Sequence, residues 1–343
     1  MTCGVLSSFF SSKLIHRFGT AKVTIISSYL TVIGLFCISY SSSFWMVCVS
    51  AIPLGLGSGC IDAALNTFVA LHFNSRHMNW LHCAWGIGAT TGPAVLSIFI
   101  NQTDGWRIGY RSIAGIQLII AIIILLSLPL WKKAAPNEFA NEKVAKKPIS
   151  YKTIISIPNV KMALLAFLLY SGMEFTFGVW GATYFVGAKN FAADTAAILV
   201  SAFYLGMTAG RFASGFLTMK FNDKGLIFGG SILVMIGIGM LIMPVNTLNL
   251  AAFPLLGLGC APIYPCLMHS IPYFFGDENA PGIIGMLMSA AGFGSLLIPP
   301  LFGVLIKLLS LSILPLYALC LFVIPVICVI KLYLLKNNTD ISD

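Results

Sequence analysis

Apolar runs of twenty or more residues, separated by short polar breaks, fill almost the whole chain. About 20 apolar residues span the hydrocarbon of a bilayer as a helix. Ten stretches meet that length: about 22–42, 44–70, 79–101, 108–131, 161–186, 193–219, 225–245, 248–275, 280–303 and 310–335. Several contain Pro or Gly, which membrane helices tolerate. Residues 1–14 are apolar but too short to cross. They are expected to be the last half of a helix, and they lack the cationic start and cleavage site of a signal peptide.

Composition narrows the class. Of 343 residues, 58% are hydrophobic and only 9% charged, with a mean hydropathy of +0.93. A soluble domain carries roughly 25% charged residues, so soluble enzymes, nucleic-acid binders and disordered scaffolds are excluded. The net charge of +9 sits in short loops. Fifteen cations fall on one side of the alternating loops (Lys13, Arg17, Lys22, Arg76, seven from Lys132 to Lys161, Lys220, Lys224, Lys331, Lys336) and four on the other. The richer side is assigned to the cytosol. That orientation makes the C-terminus and the long polar segment 132–160 cytosolic, in a multi-pass protein of the plasma membrane. The expected organisation is an incomplete helical bundle over 1–131, a solvated linker over 132–160, a six-helix bundle over 161–336 and a tail over 337–343.

The nine cysteines lie mostly inside apolar spans and form no CxxC pair. They read as small packing residues. No metal or cofactor is implied.

The chain also repeats itself. Gly55-Leu56-Gly57 is matched by Gly257-Leu258-Gly259 at an offset of 202 residues. Gly86-Ile87-Gly88 with Pro93 is matched by Gly292-Phe293-Gly294 with Pro299 at 206. Ser12–Phe18 aligns with Gly215–Phe221 at 203. Parallel repeats joined by a cytosolic linker describe one transporter plan. By the same offset, the partner of span 161–186 lies upstream of Met1. The expectation is therefore an N-terminally truncated chain, lacking a first helix and half of a second.

These residues resemble the major facilitator superfamily. SKLIHRFGTAK is similar to its G-x-L-x-D-R-x-G-R-R loop between helices two and three: Leu14, Arg17 and Gly19 match, while His16 stands where the loop-pinning Asp belongs. Within that superfamily, three stretches resemble the fucose/galactose/glucose permease group. They are GLGSGCIDAALNTFV (55–69), NWLHCAWGIGATTGP (79–93) and GMEFTFGVWGATYF (172–185). The resemblance implies an all-α transmembrane fold of two bundles related by a pseudo-twofold repeat, and a secondary active transporter rather than an enzyme. It implies proton-coupled uptake of a hexose or related sugar, with Arg17, Gly19 and Arg211 in conformational roles.

Ionisable side chains are costly in hydrocarbon, about 3 kcal/mol or more on insertion scales, so the few present are candidates. Asp62 lies about 12 Å from the cytosolic end of its span. Gly55, Gly59, Asp62 and Asn66 fall on one stripe, facing a cavity or a close helix contact. Asp62 is the candidate proton site; the alternative is a carboxyl that only bonds neighbouring helices. Asn66 reads equally as a structural or a sugar-bonding amide. Glu174 sits near mid-span on the face of Tyr170, Phe177 and Gly181, with a substrate or coupling role set against neutral interhelical bonding. Trp180 and Tyr184 are aromatic platforms suited to the C–H faces of a sugar; lipid contact is the competing reading for Trp180. Pro262 and Pro265 are expected to break their helix beside Tyr264, a candidate contact. Gln117 is a mid-helix amide able to bond substrate. His82 reads as interfacial or as a proton relay, and His269 as a packing or interfacial group. Arg211 is expected to pack toward its loop, near Asp223.

Without a phosphate-cradling GxxxxGK or an HExxH, an ion gradient is the expected energy source. A proton-driven exporter of hydrophobic compounds and an inactive truncated transporter are the alternatives within transport. A membrane transferase or sensor lacks gathered catalytic groups and an output domain. The expected partners are a small-molecule substrate, a proton and the bilayer, around a monomer.

Overall fold

A computed structural model describes residues 1–99, 102–135 and 150–342. Among these, every regular element is helical. In chain order they are α1 (Thr2–Phe18), α2 (Thr20–Ser39), α3 (Phe44–His72), α4 (Ser75–Phe99), α5 (Gly105–Leu126), α6 (Leu128–Ala134) and α7 (Tyr151–Ser156). Then follow α8 (Val160–Lys189), α9 (Ala193–Leu217), α10 (Asp223–Ile242), α11 (Asn246–His269), α12 (Ile271–Phe275), α13 (Ala280–Leu308) and α14 (Leu314–Ser342). An all-helical chain is what lipid demands, because a helix satisfies its own backbone N–H and C=O groups.

Nine segments among the described residues are long and apolar enough to cross a membrane. The span expected at 79–101 is α4, less apolar than the others because its first turns carry Arg76, His77, Asn79 and His82. Two expectations are corrected. The span 248–275 divides at Ser270 into α11 and α12. The proposed break at Pro262 and Pro265 does not occur: α11 runs unbroken from Asn246 to His269 through Pro254, Pro262 and Pro265. Each proline removes one N–H, and the rest of the ladder holds the helix. Most of the expected linker lies outside the described residues; its ends are helical in α6 and α7.

The chain divides into two compact units. One comprises Met1–His72, Ile87–Ile154 and Asp277–Ser289; the other comprises Phe73–Gly86, Ile155–Gly276 and Ala290–Asp343.

The first unit packs through small residues. Ala63 and Ala64 are fully buried on α3, and Gly57 lies against Ser27 and Thr31 of α2. Hydroxyls buried at these crossings are satisfied within their own helices, Thr24 on the Thr20 carbonyl and Ser28 on the Thr24 carbonyl. The second unit adds an aromatic core. Phe177, Phe185, Phe203 and Phe253, all 0% exposed, meet where α8, α9 and α11 converge, with centroids 4.7–6.0 Å apart. Such edge and tilted pairs are the favoured ring geometries.

The sequence repeat reappears as packing. Gly57 meets Ser27 and Thr31; Gly259, 202 residues on, meets Gly230 and Val234, each 203 residues beyond those partners. Likewise Gly59 meets Ser7, and Ala261 meets Gly210, at the same offsets. The two halves thus use one set of close helix crossings twice.

Gly19 joins α1 to α2 with φ 78° and ψ 153°, its N–H donating to the Ile15 carbonyl at 2.7 Å. That backbone region is essentially open to glycine alone. Gly19→Ala is expected to cost about 1–3 kcal/mol, read as a lower melting temperature of the purified protein against Ala21→Gly as a control for composition. An unchanged melting temperature would show that the turn relaxes freely.

Candidate functional site

In the second unit, α8 buries Tyr170, Glu174, Phe177 and Gly181 along the face expected from their spacing. Glu174 is 7% exposed, and Arg211 of α9 is 3% exposed. Their closest approach, Arg211 Nη2 to Glu174 Oε1, is 3.9 Å. This is an ion contact too long for a hydrogen bond. It corrects the expectation for Arg211, which turns to Glu174 while Asp223 pairs with His269 at 2.6 Å. A charge pair in hydrocarbon needs this kind of mutual compensation.

Two further groups complete the surroundings of the guanidinium. Arg211 Nη1 donates to the His82 carbonyl at 3.4 Å, and its Nε–H, buried, has no hydrogen-bond partner among the described residues. The Trp85 ring centroid lies 5.5 Å from the guanidinium carbon, a cation–π distance. Trp85 follows His82 by three residues, so both are presented on one side of α4. The Trp85 side chain is 47% exposed. His82 is itself buried, with its ring 5.2 Å from that of Tyr264. Tyr264 also contacts Phe167 and Tyr170, and the Tyr170 hydroxyl donates to the Cys260 carbonyl at 2.8 Å. From α9, the Tyr204 hydroxyl occupies the space over Gly178, one turn beyond Glu174. This arrangement gathers a carboxyl group, an under-satisfied guanidinium and aromatic rings in one place.

The first unit holds the second group of candidates. Gly55 packs on Cys3, and Gly59 on Gly4 and Ser7, so the glycines of the α3 stripe make the close contact with α1. Ser8 seals that contact by donating to the Gly59 carbonyl at 3.0 Å. Asp62, further along the stripe, is exposed. Asn66 is fully buried, and its amide donates to the Asp62 carbonyl at 2.9 Å and to Asp62 Oδ1 at 3.3 Å. Gln117 of α5 is half-buried and donates to the Thr31 hydroxyl at 3.0 Å.

The remaining candidates stand apart. The Trp180 indole N–H donates to the Pro299 carbonyl at 2.8 Å, and its ring meets Phe302, so it fastens α8 to α13. The Tyr184 ring is 1% exposed and its hydroxyl donates to the Leu241 carbonyl at 3.1 Å. Neither has a polar handle turned to an open site. Arg17 is exposed at the α1 end with its guanidinium over Phe18. Trp85 and Tyr204 were missed in the sequence. Trp85's only signal was its three-residue spacing from His82; Tyr204 gave none, because it is placed by a glycine on another helix.

A family model described as the Major Facilitator Superfamily matches residues 1–193 and 187–342. The chain belongs to that superfamily, a family of membrane transporters and not of enzymes. It is 24% identical over 309 residues to the glucose/mannose transporter GlcP of Bacillus subtilis (strain 168), covering 88% of this chain and 76% of that protein. Its fold matches FucP in the outward conformation with a TM-score of 0.76 at 16% identity, over 94% of this chain and 86% of that one. It also matches the proton:xylose symporter XylE bound to 6-bromo-6-deoxy-D-glucose, with a TM-score of 0.74 at 12% identity, over 97% and 83% of the two chains.

Removing one partner of a buried pair strands the other charge. Glu174→Ala is expected to cost about 3 kcal/mol in denaturant or thermal unfolding, and Glu174→Ala with Arg211→Met to recover most of that loss. Losses that simply add would show that the two groups are not electrostatically linked.

Proposed function

We propose that this member of the superfamily is a proton-coupled importer of a hexose or closely related sugar, working by alternating access. The observation that carries the reading is the buried Glu174–Arg211 pair beside Trp85 and Tyr264. A neutral sugar presents hydroxyls that both donate and accept, and apolar C–H faces. Glu174 accepts from such hydroxyls, the unpartnered Nε–H of Arg211 donates to them, and Trp85 or Tyr264 stacks on the ring. A hydrophobic cargo would gain nothing from a carboxylate and a guanidinium.

Similar proteins support the same reading: GlcP is a glucose/mannose transporter, FucP a fucose:proton symporter and XylE a proton:xylose symporter. Asp62 is assigned the coupling proton. Asp62 is an exposed residue of α3, and Asn66 steadies its carboxyl by an amide hydrogen bond. Loading and unloading of a carboxyl at that depth is how a change of surroundings is linked to a proton gradient. In this proposal Asn66 and Gln117 act by holding local geometry, and Arg17, Gly19 and Arg211 act in the conformational change. The cation-rich loops and the C-terminus face the cytosol of a plasma membrane.

The test is uptake of labelled hexoses by the reconstituted protein, with and without an imposed pH gradient. Accumulation is expected to follow the gradient. Asp62→Asn should abolish gradient-driven accumulation yet retain sugar counterflow. Trp85→Ala and Glu174→Gln should each raise KM at least about tenfold, the worth of one good polar or stacking contact. Uptake indifferent to the gradient and to Asp62→Asn would overturn the coupling assignment.

A further inference from the structure

Far from Glu174 along the chain, the end of α11 carries a second, half-buried pair that the transport chemistry does not use. His269 and Asp223 side chains are 21% and 15% exposed. His269 Nδ1 lies 2.6 Å from Asp223 Oδ2, and His269 Nε2 lies 3.1 Å from the Phe73 carbonyl. A backbone carbonyl only accepts. A neutral imidazole owns one N–H, so it can serve the carbonyl or the carboxylate, not both. Two short contacts to oxygen therefore require two ring N–H groups, unless Asp223 itself holds the proton.

The surroundings place that proton on the histidine. Asp223 occupies the first turn of α10, behind the Asn222 cap that accepts from the Gly225 N–H. The helix N-terminus favours a carboxylate there. The Ser270 hydroxyl also stands 3.5 Å from Asp223 Oδ2. The titratable and charged groups facing the pair come from four elements. Lys224 is on α10, with its ammonium over the Tyr333 ring at 5.5 Å. Cys266 precedes His269 on α11, held by Asn79 and Ser75 of α4 at 3.5 and 3.7 Å. His77 and Arg76 of α4 turn to Phe73 and Trp80. Tyr333 of α14 meets the Ser270 hydroxyl at 3.2 Å, and Lys336 of the same helix lies over Tyr273. Among these described neighbours no carboxylate besides Asp223 is in contact with His269.

We propose that His269 is a proton-binding site separate from the coupling acid, and that its imidazolium clips together the start of α10, the end of α11 and the Phe73 turn between α3 and α4. The clip holds while the ring carries both protons. When pH rises and one leaves, either the Phe73 carbonyl or the Asp223 carboxylate loses its donor, and the three segments part. The ligand is a proton. On the orientation proposed above, its source is the cytosol, so a more alkaline cytosol loosens this end of the transporter.

Two measurements test this without any transport assay, so the failure of sugar uptake and the failure of the clip are distinguishable. In the first, ring-nitrogen NMR of 15N-histidine-labelled protein follows the five histidines. At about pH 7, near the ordinary histidine range, one ring is expected with both nitrogens protonated, absent in His269→Gln and neutral in Asp223→Asn. A His269 ring with one bare nitrogen from mildly acidic to mildly alkaline pH would overturn the proposal. In the second, alkylation of Cys266 is measured relative to Cys260, both fully buried on α11. The ratio is expected to rise with pH in the parent protein. In His269→Gln it should be raised about tenfold, the worth of one hydrogen bond to a charged group, and be flat with pH. A ratio unaffected by pH in the parent protein, or by the substitution, would refute the clip even if His269 proves protonated.

Discussion

In a bilayer, apolar side chains gain little by leaving lipid for protein, so helices hold together by close van der Waals contact and internal hydrogen bonds. The glycine crossings are where that constraint is met here. Gly57 on Ser27 and Thr31, and Gly259 on Gly230 and Val234, bring backbones near enough for the remaining side chains to meet. Two of the candidate side chains lie next to such close contacts. Asp62 lies beyond the α1–α3 contact made by Gly55 and Gly59, and Arg211 follows Gly210, whose space is filled by Ala261 of α11.

On that frame the charges are arranged by scarcity. Few ionisable side chains enter the spans, and two of them, Glu174 and Arg211, are spent on each other at 3.9 Å. The separation leaves the guanidinium under-satisfied, with one N–H unpartnered and Trp85 against its face. A tight bidentate pair would be more self-sufficient and less available. The 3.9 Å separation therefore leaves both groups with unused hydrogen-bonding capacity.

Much of this was legible in the sequence, and the exceptions share a cause. Span positions follow from apolar run length, and the doubling of the fold follows from the glycine repeats, whose offsets recur in the contacts. The α8 face of Tyr170, Glu174, Phe177 and Gly181 follows from helical spacing alone. Pairings between helices do not follow from spacing. Arg211 could be offered either acid, Glu174 or Asp223, and chain proximity favoured the wrong one. Pro262 and Pro265 invited a break because local rules weigh each lost N–H, whereas a helix packed on both sides by α9 and α10 keeps its axis. Trp180 and Tyr184 carried the right chemistry for a sugar, but their polar atoms already serve the carbonyls of Pro299 and Leu241.

The matched crossings also allow position-by-position comparison of the two halves. At the offsets of 202 and 203 residues, Asp62 corresponds to Tyr264, and Ser8 to Arg211. The scaffold positions are kept in both halves, while the positions beside them differ. The present chain bears the outcome: an acid in one copy faces a phenol in the alignment, and a hydroxyl faces a guanidinium. A doubled scaffold can thus carry different side chains beside matched crossings, so long as the glycines that set those crossings are kept.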